Sequence, residues 1–368
     1  MKLSWHRHHS LAGWYVNLSG WARLLLFSVL LALGSLPLTV QAEDSVSLDR
    51  FREYVERSVD APSGANKKPI KIAIVYPGLQ TSDYWLRSIK ALQGRLDDHG
   101  LAYELDVRFS RPYIQQDLQE SQLLEVLQND PDYLVYTINS DRQRRVVEYL
   151  LQRERPKVII QNLTQPVAQW FDVQPLMYIG FDHAAGARKL AQFYKRRYPK
   201  GTPFGLLYWD KGVVSEQRGD VFLKEVERTH QLKASYFTDA SRISAKHAAL
   251  KMLREYPDIR YIYACATDVS LGALDALREL GDPPITVNGW GGGEAELEMF
   301  RQQKLGVVLM RMNDQNGIAM AEAIRLDRLG YQIPLVFSGE FEVLTQSMEE
   351  GALEHLLERA FRYSGGMP

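Results

Sequence analysis

The sequence predicts an α/β fold of two β/α lobes, each with a parallel sheet, and a cleft between them. Two observations carry this prediction. From Ile70 onward, apolar runs of about six residues alternate with helical patterns of about 10 to 18. The same rhythm then starts afresh after "GFDH", residues 180–183.

The first lobe has strand candidates "IKIAIVY", "AYELDVRF", "DYLVYTI", "KVIIQN" and "LMYIG". Helical patterns lie between them at 83–99, 115–129 and 141–153. In the last, Val146, Val147, Leu150 and Leu151 form one apolar stripe, and Ser140 and Asp141 supply N-cap chemistry. The second lobe has strand candidates "FGLLYW", "ASYF", "IRYIYAC", "ITVNGW" and "LGVVLMR". Its helices are expected at 184–197, 214–230, 245–255, 269–280 and 294–301. Val269, Ala273, Leu277 and Leu280 share a face, and Gly281 closes that helix. A helix over 314–329 and a short tail strand, "PLVFSG", complete the chain.

Composition agrees with a folded chain of about two domains: 368 residues, 45% hydrophobic and 24% charged. The first 42 residues stand apart. They hold Lys2, Arg7 and Arg23 but no acid, then "LLLFSVLLALG" and "VQA". This is the pattern of a secretory signal, with cleavage expected after Ala42; an uncleaved anchor is the alternative. Removing it leaves 41 basic against 45 acidic residues, a net charge of −4. That balance excludes a polybasic nucleic-acid surface. Cys265 is the single cysteine, so no internal disulfide forms. A signal without disulfides suits a bacterial periplasm, and a chain this long needs none to build a core. Residues 43–69 read as a short amphipathic helix and a linker.

In parallel sheets, ligands sit beyond the carboxyl ends of the strands. The residues there are Gln80, Ser82 and Trp85 after the first strand, then Asn162, then Thr267 and Asp268, then Trp290 before three glycines, then Arg311. Arg218 lies near the start of a second-lobe helix. Each also has a plainer reading. Trp85 suits a helix face in the core, Gln80 and Ser82 suit a turn, and Asn162 suits a loop. Asp268 suits an N-cap, Trp290 suits packing where the lobes meet, and the arginines suit the surface. Their convergence is what favours a site. Trp presents flat apolar area with one donor, and Arg a permanently charged fork of donors. Two arginines in a closing cleft require an anion or many oxygens, because buried unpaired charge is costly. This points to an anionic, hydroxyl-rich small molecule.

Other motifs are weaker. "GWGGG" lacks the residues of a P-loop and the spacing of a dinucleotide fingerprint, so its glycines read as permitting sharp turns or close approach. Cys265, at the end of an apolar strand, reads as a buried structural thiol. The eight His do not form a metal-spaced set. No metal or cofactor is expected, and no nucleophile–base pair suggests an enzyme.

The segments "VYPGLQTSDYW", "IIQNLTQPVAQW", "YIGFDHAAGARKLA", "RGDVF", "IYACATDVSLGALDAL", "NGWGGGEAEL", "MRMNDQNGIAMAEAI" and "RAFRYS" resemble the LuxP family of periplasmic autoinducer-2 receptors. The likeness runs from about Ile70 to Ser364; the segment 43–66 and the loop 210–213 depart from it. It implies two Rossmann-like β/α lobes joined by three hinge crossings, the type I periplasmic-binding-protein fold. The lobes would be 70–181 plus about 312–336, and 182–311 plus about 337–368. It implies a furanosyl borate diester as ligand, boron entering as part of the ligand. By motif position the ligand contacts fall on Gln80, Ser82, Trp85, Asn162, Arg218, Thr267, Asp268, Trp290 and Arg311, with Arg218 and Arg311 bracketing the borate. It further implies a partner, the periplasmic domain of a LuxQ-like hybrid sensor histidine kinase, in quorum sensing. The alternative is a solute-binding protein that delivers a pentose-like sugar to an ABC permease.

Overall fold

Two six-stranded sheets organise the chain, seen in a computed structural model that describes residues 45–59, 68–112, 114–138 and 140–365. The expected signal over 1–42 and its cleavage position lie outside the described residues, as does most of the expected linker. No helix among the described residues is long and apolar enough to cross a membrane.

The first sheet has the order β11-β5-β4-β3-β1-β2. Its strands are β1 (Ile70–Tyr76), β2 (Tyr103–Phe109), β3 (Tyr133–Tyr136), β4 (Lys157–Gln161), β5 (Met177–Phe181) and β11 (Val336–Gly339). Every pairing is parallel, and β1 sets the register, with Ile72 opposite both Leu105 and Tyr133. The second sheet has the order β12-β10-β9-β8-β6-β7. It contains β6 (Pro203–Tyr208), β7 (Gln231–Phe237), β8 (Tyr261–Ala264), β9 (Thr286–Gly291), β10 (Val307–Arg311) and β12 (Phe341–Thr345). The central strands are almost wholly buried, as helices on both faces require. Both sheets reverse strand order beside their first strand, which places a crevice at the carboxyl ends.

The chain passes between the sheets at Asp182, at Met312–Asn313 and at Glu340. The crossings are tied together: Asp182 N donates to Ser338 Oγ at 3.1 Å, Met312 N to Glu340 O at 2.9 Å, and Glu340 N to Gln315 Oε1 at 2.8 Å. The last crossing corrects the expected boundary at 336/337. The "VFSG" strand still pairs with β5 in the first sheet, and only the next residues enter the second. That next strand, β12, was not expected. It is antiparallel to β10 at the sheet edge, and its "FEVLT" has neither strict alternation nor a continuous apolar run. The helix at Glu350–Ala360 was likewise not expected.

Apart from that last one, the helices match their expected places within a few residues. They are α1 (Leu48–Glu56), α2 (Tyr84–Asp98), α3 (Gln116–Leu127), α4 (Asp141–Leu151), α5 (His183–Arg197), then α6, α7 (Arg242–Glu255), α8 (Thr267–Glu279), α9 (Glu294–Arg301), α10 (Asp314–Arg328) and α11 (Glu350–Ala360). Here α6 comprises Val213–Ser215, a π-turn at Glu216–Asp220 and Val221–Val226. Ser140 caps α4 as expected, accepting from Gln143 N at 3.2 Å.

The tail after α11 does not stay on the second lobe. Ser364 donates its hydroxyl to Asp314 Oδ1 at 2.6 Å, and Arg87 Nη1 on α2 donates to Ser364 O at 3.0 Å. Beneath it, Glu322 on α10 meets Arg95 Nε at 2.6 Å, His99 Nε2 at 2.8 Å and Arg325 Nε at 2.8 Å. Arg95 also donates to Tyr54 O and to Arg57 O, the latter at 2.9 Å, so this buried cluster fastens the end of α1 to the first lobe.

Candidate functional site

The loop after β1 and the first turn of α2 form one wall of the crevice. Trp85 is buried on Tyr76 and Tyr84, with ring centroids 4.5 and 4.8 Å away. Its indole Nε1 is buried without a partner among the described residues. The core reading of Trp85 is therefore met by its ring, while its N–H is left for something else. Gln80 and Ser82 are half-buried in the loop. Thr81, between them, donates its hydroxyl to Asp268 Oδ1 on the second lobe. Asp83 Oδ2 accepts from Glu294 N at 3.1 Å, again across the lobes, and Arg87 lies 3.8 Å from the Glu294 carboxylate. The lobes thus touch along this edge.

The second lobe supplies the opposite wall. Trp290, next to last in β9, is fully buried, with its Nε1 also lacking a partner among the described residues. The glycines after it act as expected. Gly292 has φ +69°, and a Cβ there would stand 2.6 Å from Met310; a Cβ on Gly293 would stand 2.3 Å from Asp83 Oδ1. Thr267 donates its hydroxyl to Trp290 O at 3.2 Å. Asp268 does not cap α8. The N-cap is Ala266, and the Asp268 carboxylate sits within the first turn, turned towards Thr81. Burial pushes its pKa up, opposed by the Thr81 hydrogen bonds and by Arg242.

Both arginines are buried at the junction, not on the surface. Arg218 projects from the π-turn of α6. Its Nη1 donates to Cys265 O at 2.9 Å and its guanidinium lies 4.9 Å from the Trp290 ring. Arg311, at the end of β10, lies over Tyr84 at 4.8 Å and Phe181 at 5.8 Å. Its Nε is buried without a partner, and no carboxylate among the described residues is within 4.0 Å of its nitrogens. Burial pulls its pKa down, against the pull of Tyr84, Glu296 and Asp83. A charged group held this way favours an incoming acceptor.

Asn162 has a left-handed φ of 68° and half-buried placement. It lines a cavity of about 290 Å³ shared between Phe181 of the first lobe and Val213, Gln217 and His183 of the second. His183 is buried, 6.4 Å from Trp290, and both of its ring nitrogens lack partners among the described residues. Burial, then Arg218 and Arg311, hold its pKa well below the ordinary value, so it is neutral. A larger groove, about 960 Å³, lies at the amino ends of β8, β9 and β10 around Arg260, Thr286 and Gly306. There Arg242 and Arg278 already pair with Asp275 at 2.6 and 2.8 Å, so the crevice remains the better site.

Trp85 and Arg311 are thus joined through Tyr84, Trp290 contacts Arg218 and Thr267 directly, and Phe341 stands between Phe181 and Trp290 with ring centroids 5.3 and 6.2 Å away. Asn162 lines the adjoining cavity, and Asp268 seals the rim. Gln80 and Ser82 flank that seal, whose hydrogen bonds run through Thr81 and Asp83 instead. Sequence reasoning passed over Thr81, Asp83, Tyr84, His183 and Glu296. The first two are ordinary turn and cap residues to the eye. Glu296 reads as an exposed helix position, yet it is wholly buried. The orphaned groups include the donors of two indoles and the Arg311 guanidinium, beside the acceptors Asp83 Oδ1, Asn313 Oδ1 and Asn316 Oδ1. They suit a ligand dense in oxygen and are not a nucleophile–base pair. Cys265 is buried as expected, and burial pushes its thiol pKa up, away from nucleophilic use.

No protein-family model matches the chain. It is similar to the ribose import binding protein RbsB of Bacillus subtilis (strain 168), 23% identical over 169 residues, which is 46% of this chain and 55% of that protein. The RbsB of Escherichia coli (strain K12) is 24% identical over 142 residues, 38% of this chain and 48% of that one. The chain spans about half the length of the curated relatives it matches. Among solved structures, a sugar ABC substrate-binding protein from Bordetella parapertussis superimposes with TM-score 0.71 at 15% identity, over 86% of this chain and 100% of that one. A solute-binding protein from Agrobacterium vitis with bound D-fucose gives 0.68 at 13%, over 77% and 98%. One from Actinobacillus succinogenes with bound D-allose gives 0.65 at 18%, over 76% and 98%. The fold is that of the type I periplasmic binding proteins, in agreement with the fold expected from sequence. All of these proteins are binders of small molecules, in line with the expectation that this chain is not an enzyme.

Proposed function

We propose that the interlobe cleft is a receptor site for a small, oxygen-rich ring that carries negative charge. The sequence motifs point to the furanosyl borate diester of autoinducer-2 as that ligand, read out by a LuxQ-like sensor kinase at the membrane. The observation that carries this reading is Arg311: a buried guanidinium caged by Tyr84 and Phe181, whose charge reaches Tyr84 and His183 together with that of Arg218, with a free Nε and no carboxylate within ion-pair distance among the described residues. A neutral sugar offers that guanidinium only dipoles, whereas a tetrahedral borate supplies both a charge and the acceptors. A ligand touching both walls favours the closed lobes, through its greater affinity for that form.

The relatives favour a second reading, a periplasmic carrier of a pentose-like sugar for an ABC permease. RbsB proteins are ribose import binding proteins, and two of the matched structures hold D-allose and D-fucose. Likeness of fold leaves the ligand open, because the same fold hosts many sites.

The deciding experiment is a calorimetric titration of the chain from residue 43 onward. The autoinducer-2 precursor is added with and without borate, and D-ribose in a separate run. Tight binding that needs borate is the expected result. Ribose binding, or binding indifferent to borate, assigns the protein to sugar uptake and rejects the receptor reading.

A further inference from the structure

Glu296 occupies the first turn of α9 and is fully buried behind the second-lobe wall. Its Oε1 accepts from Trp290 N at 2.6 Å and its Oε2 from Gly292 N at 2.7 Å. It is hydrogen-bonded to Thr267 and feels the charge of Arg311. A single carboxyl therefore holds the arch that carries Trp290, touches a second candidate contact, and faces the cationic centre of the cleft. Burial pushes its pKa up to about 7, against the pull of the two amides, Arg311 and Thr267. Arg311 in turn feels Tyr84 and Asp83 of the first lobe, Arg218 on α6 acts with it on His183 on α5, and Asp268 on α8 is turned to Thr81 and Arg242.

We infer that Glu296 is the counter-charge of the ligand-free cleft and takes up a proton when an anionic ligand reaches Arg311. This rests on the anionic reading above and goes beyond it, because it makes a residue that does not touch the ligand set the charge preference of the site. Two negative charges beside one guanidinium in a buried crevice repel each other, and neutralising the carboxyl relieves this. The proton comes from solvent to one oxygen of Glu296. The new O–H donates to Thr267 Oγ1, and the Thr267 hydrogen, no longer drawn to the carboxylate, goes wholly to the carbonyl of Trp290. The two backbone amides keep their acceptors on the remaining lone pairs.

The test is calorimetry of the autoinducer-2 precursor with boric acid, in a series of buffers of different ionisation enthalpy near about pH 7.5, on wild type and Glu296→Gln. Forming the tetrahedral diester releases a proton in either protein, so the difference between the two isolates Glu296. Wild type is expected to take up about one proton more than the variant. Its affinity, relative to the variant, should fall roughly tenfold for each pH unit above that point. Equal proton counts overturn the inference, as does a difference that His183→Gln abolishes. Should Glu296→Gln fail to fold, infrared difference spectra of wild type carry the test. A protonated-carboxyl C=O band must appear when the borate adduct binds, and its absence is decisive against the idea. An adduct that binds without these signatures rejects only the role of Glu296. An adduct that does not bind while ribose does rejects the anionic reading, and this inference with it.

Discussion

Thr81, in the loop after β1, donates its hydroxyl to the carboxylate of Asp268 in the first turn of α8. One residue belongs to each lobe, so this hydrogen bond exists only when the lobes are together. Asp268 sits two positions after the Ala266 N-cap, and its carboxylate reaches the partner lobe as well as its own backbone N–H.

Thr81→Val keeps the shape and removes the donor. The contact lies at the rim, so a loss of about 1 kcal/mol in the closed form is expected, which weakens ligand affinity roughly fivefold. The melting temperature of the ligand-free protein should hardly move, since each lobe keeps its own core. Calorimetry beside thermal melts checks this; an unchanged affinity means the rim bond plays no part in closure.

Arg311→Met should separate stability from binding. The guanidinium is buried and burial disfavours its charge, so an apolar side chain of similar length is expected to raise the stability of the ligand-free protein by about 1 kcal/mol or more. Binding of an anionic ligand should fall at least a hundredfold. Lower stability in the variant would show that Arg311 is a structural residue.

The buried Glu296 carboxyl gives the ligand-free protein a defined pH dependence. Its folded pKa is raised from 4.5 to about 7, so the folded state holds the proton more tightly. Its stabilising contribution is complete below the unfolded value and is lost as pH rises through about 7. Denaturant midpoints should therefore decline between pH 5 and 8 in wild type, and this part of the decline should vanish in Glu296→Gln. Parallel profiles for the two proteins would refute the assignment.

Glu322 behaves in the opposite sense. Burial alone raises its pKa, but His99, Arg325 and Arg95 override it and hold the group at about 2. Its contribution is present above the ordinary carboxylate value of 4.5 and lost as pH falls through about 2. Glu322→Ala leaves Arg95 buried without that partner and loosens α1, so a loss of roughly 3–5 kcal/mol is expected by chemical denaturation. A loss under about 1 kcal/mol would contradict this account.

Much of this organisation is written locally. The apolar runs at Ile70–Tyr76 and Val307–Arg311 are buried on both faces, so their composition alone marks them as central strands. The rule that ligands meet the carboxyl ends of strands then picks out Trp85, Trp290 and Arg311 without any contact being known. The strand at Phe341–Thr345 was missed because five mixed residues, with Phe341 buried on one face and Leu344 on the other, show neither alternation nor a continuous apolar run. Glu296 was missed for the converse reason: in a helical pattern a Glu reads as solvent-facing, and only the arch of Trp290 and Gly292 folded over it reveals two amides waiting for a carboxylate.

The sequence by itself determined the two α/β lobes, the strand ends that face the cleft, and the burial of Cys265, because each follows from periodicity and from the side chains of one element. The tertiary structure alone decided which residues face each other across the lobes. Thr81 finds Asp268 over 187 positions and Asp83 finds Glu294 over 211, and such pairings depend on how two rigid lobes meet rather than on any local preference. It also decided the charge of the site, since the same Arg, His and Glu side chains would be ordinary surface groups in water. Burial beside one another is what leaves Arg311 without a carboxylate within ion-pair reach, His183 neutral and Glu296 poised near neutrality.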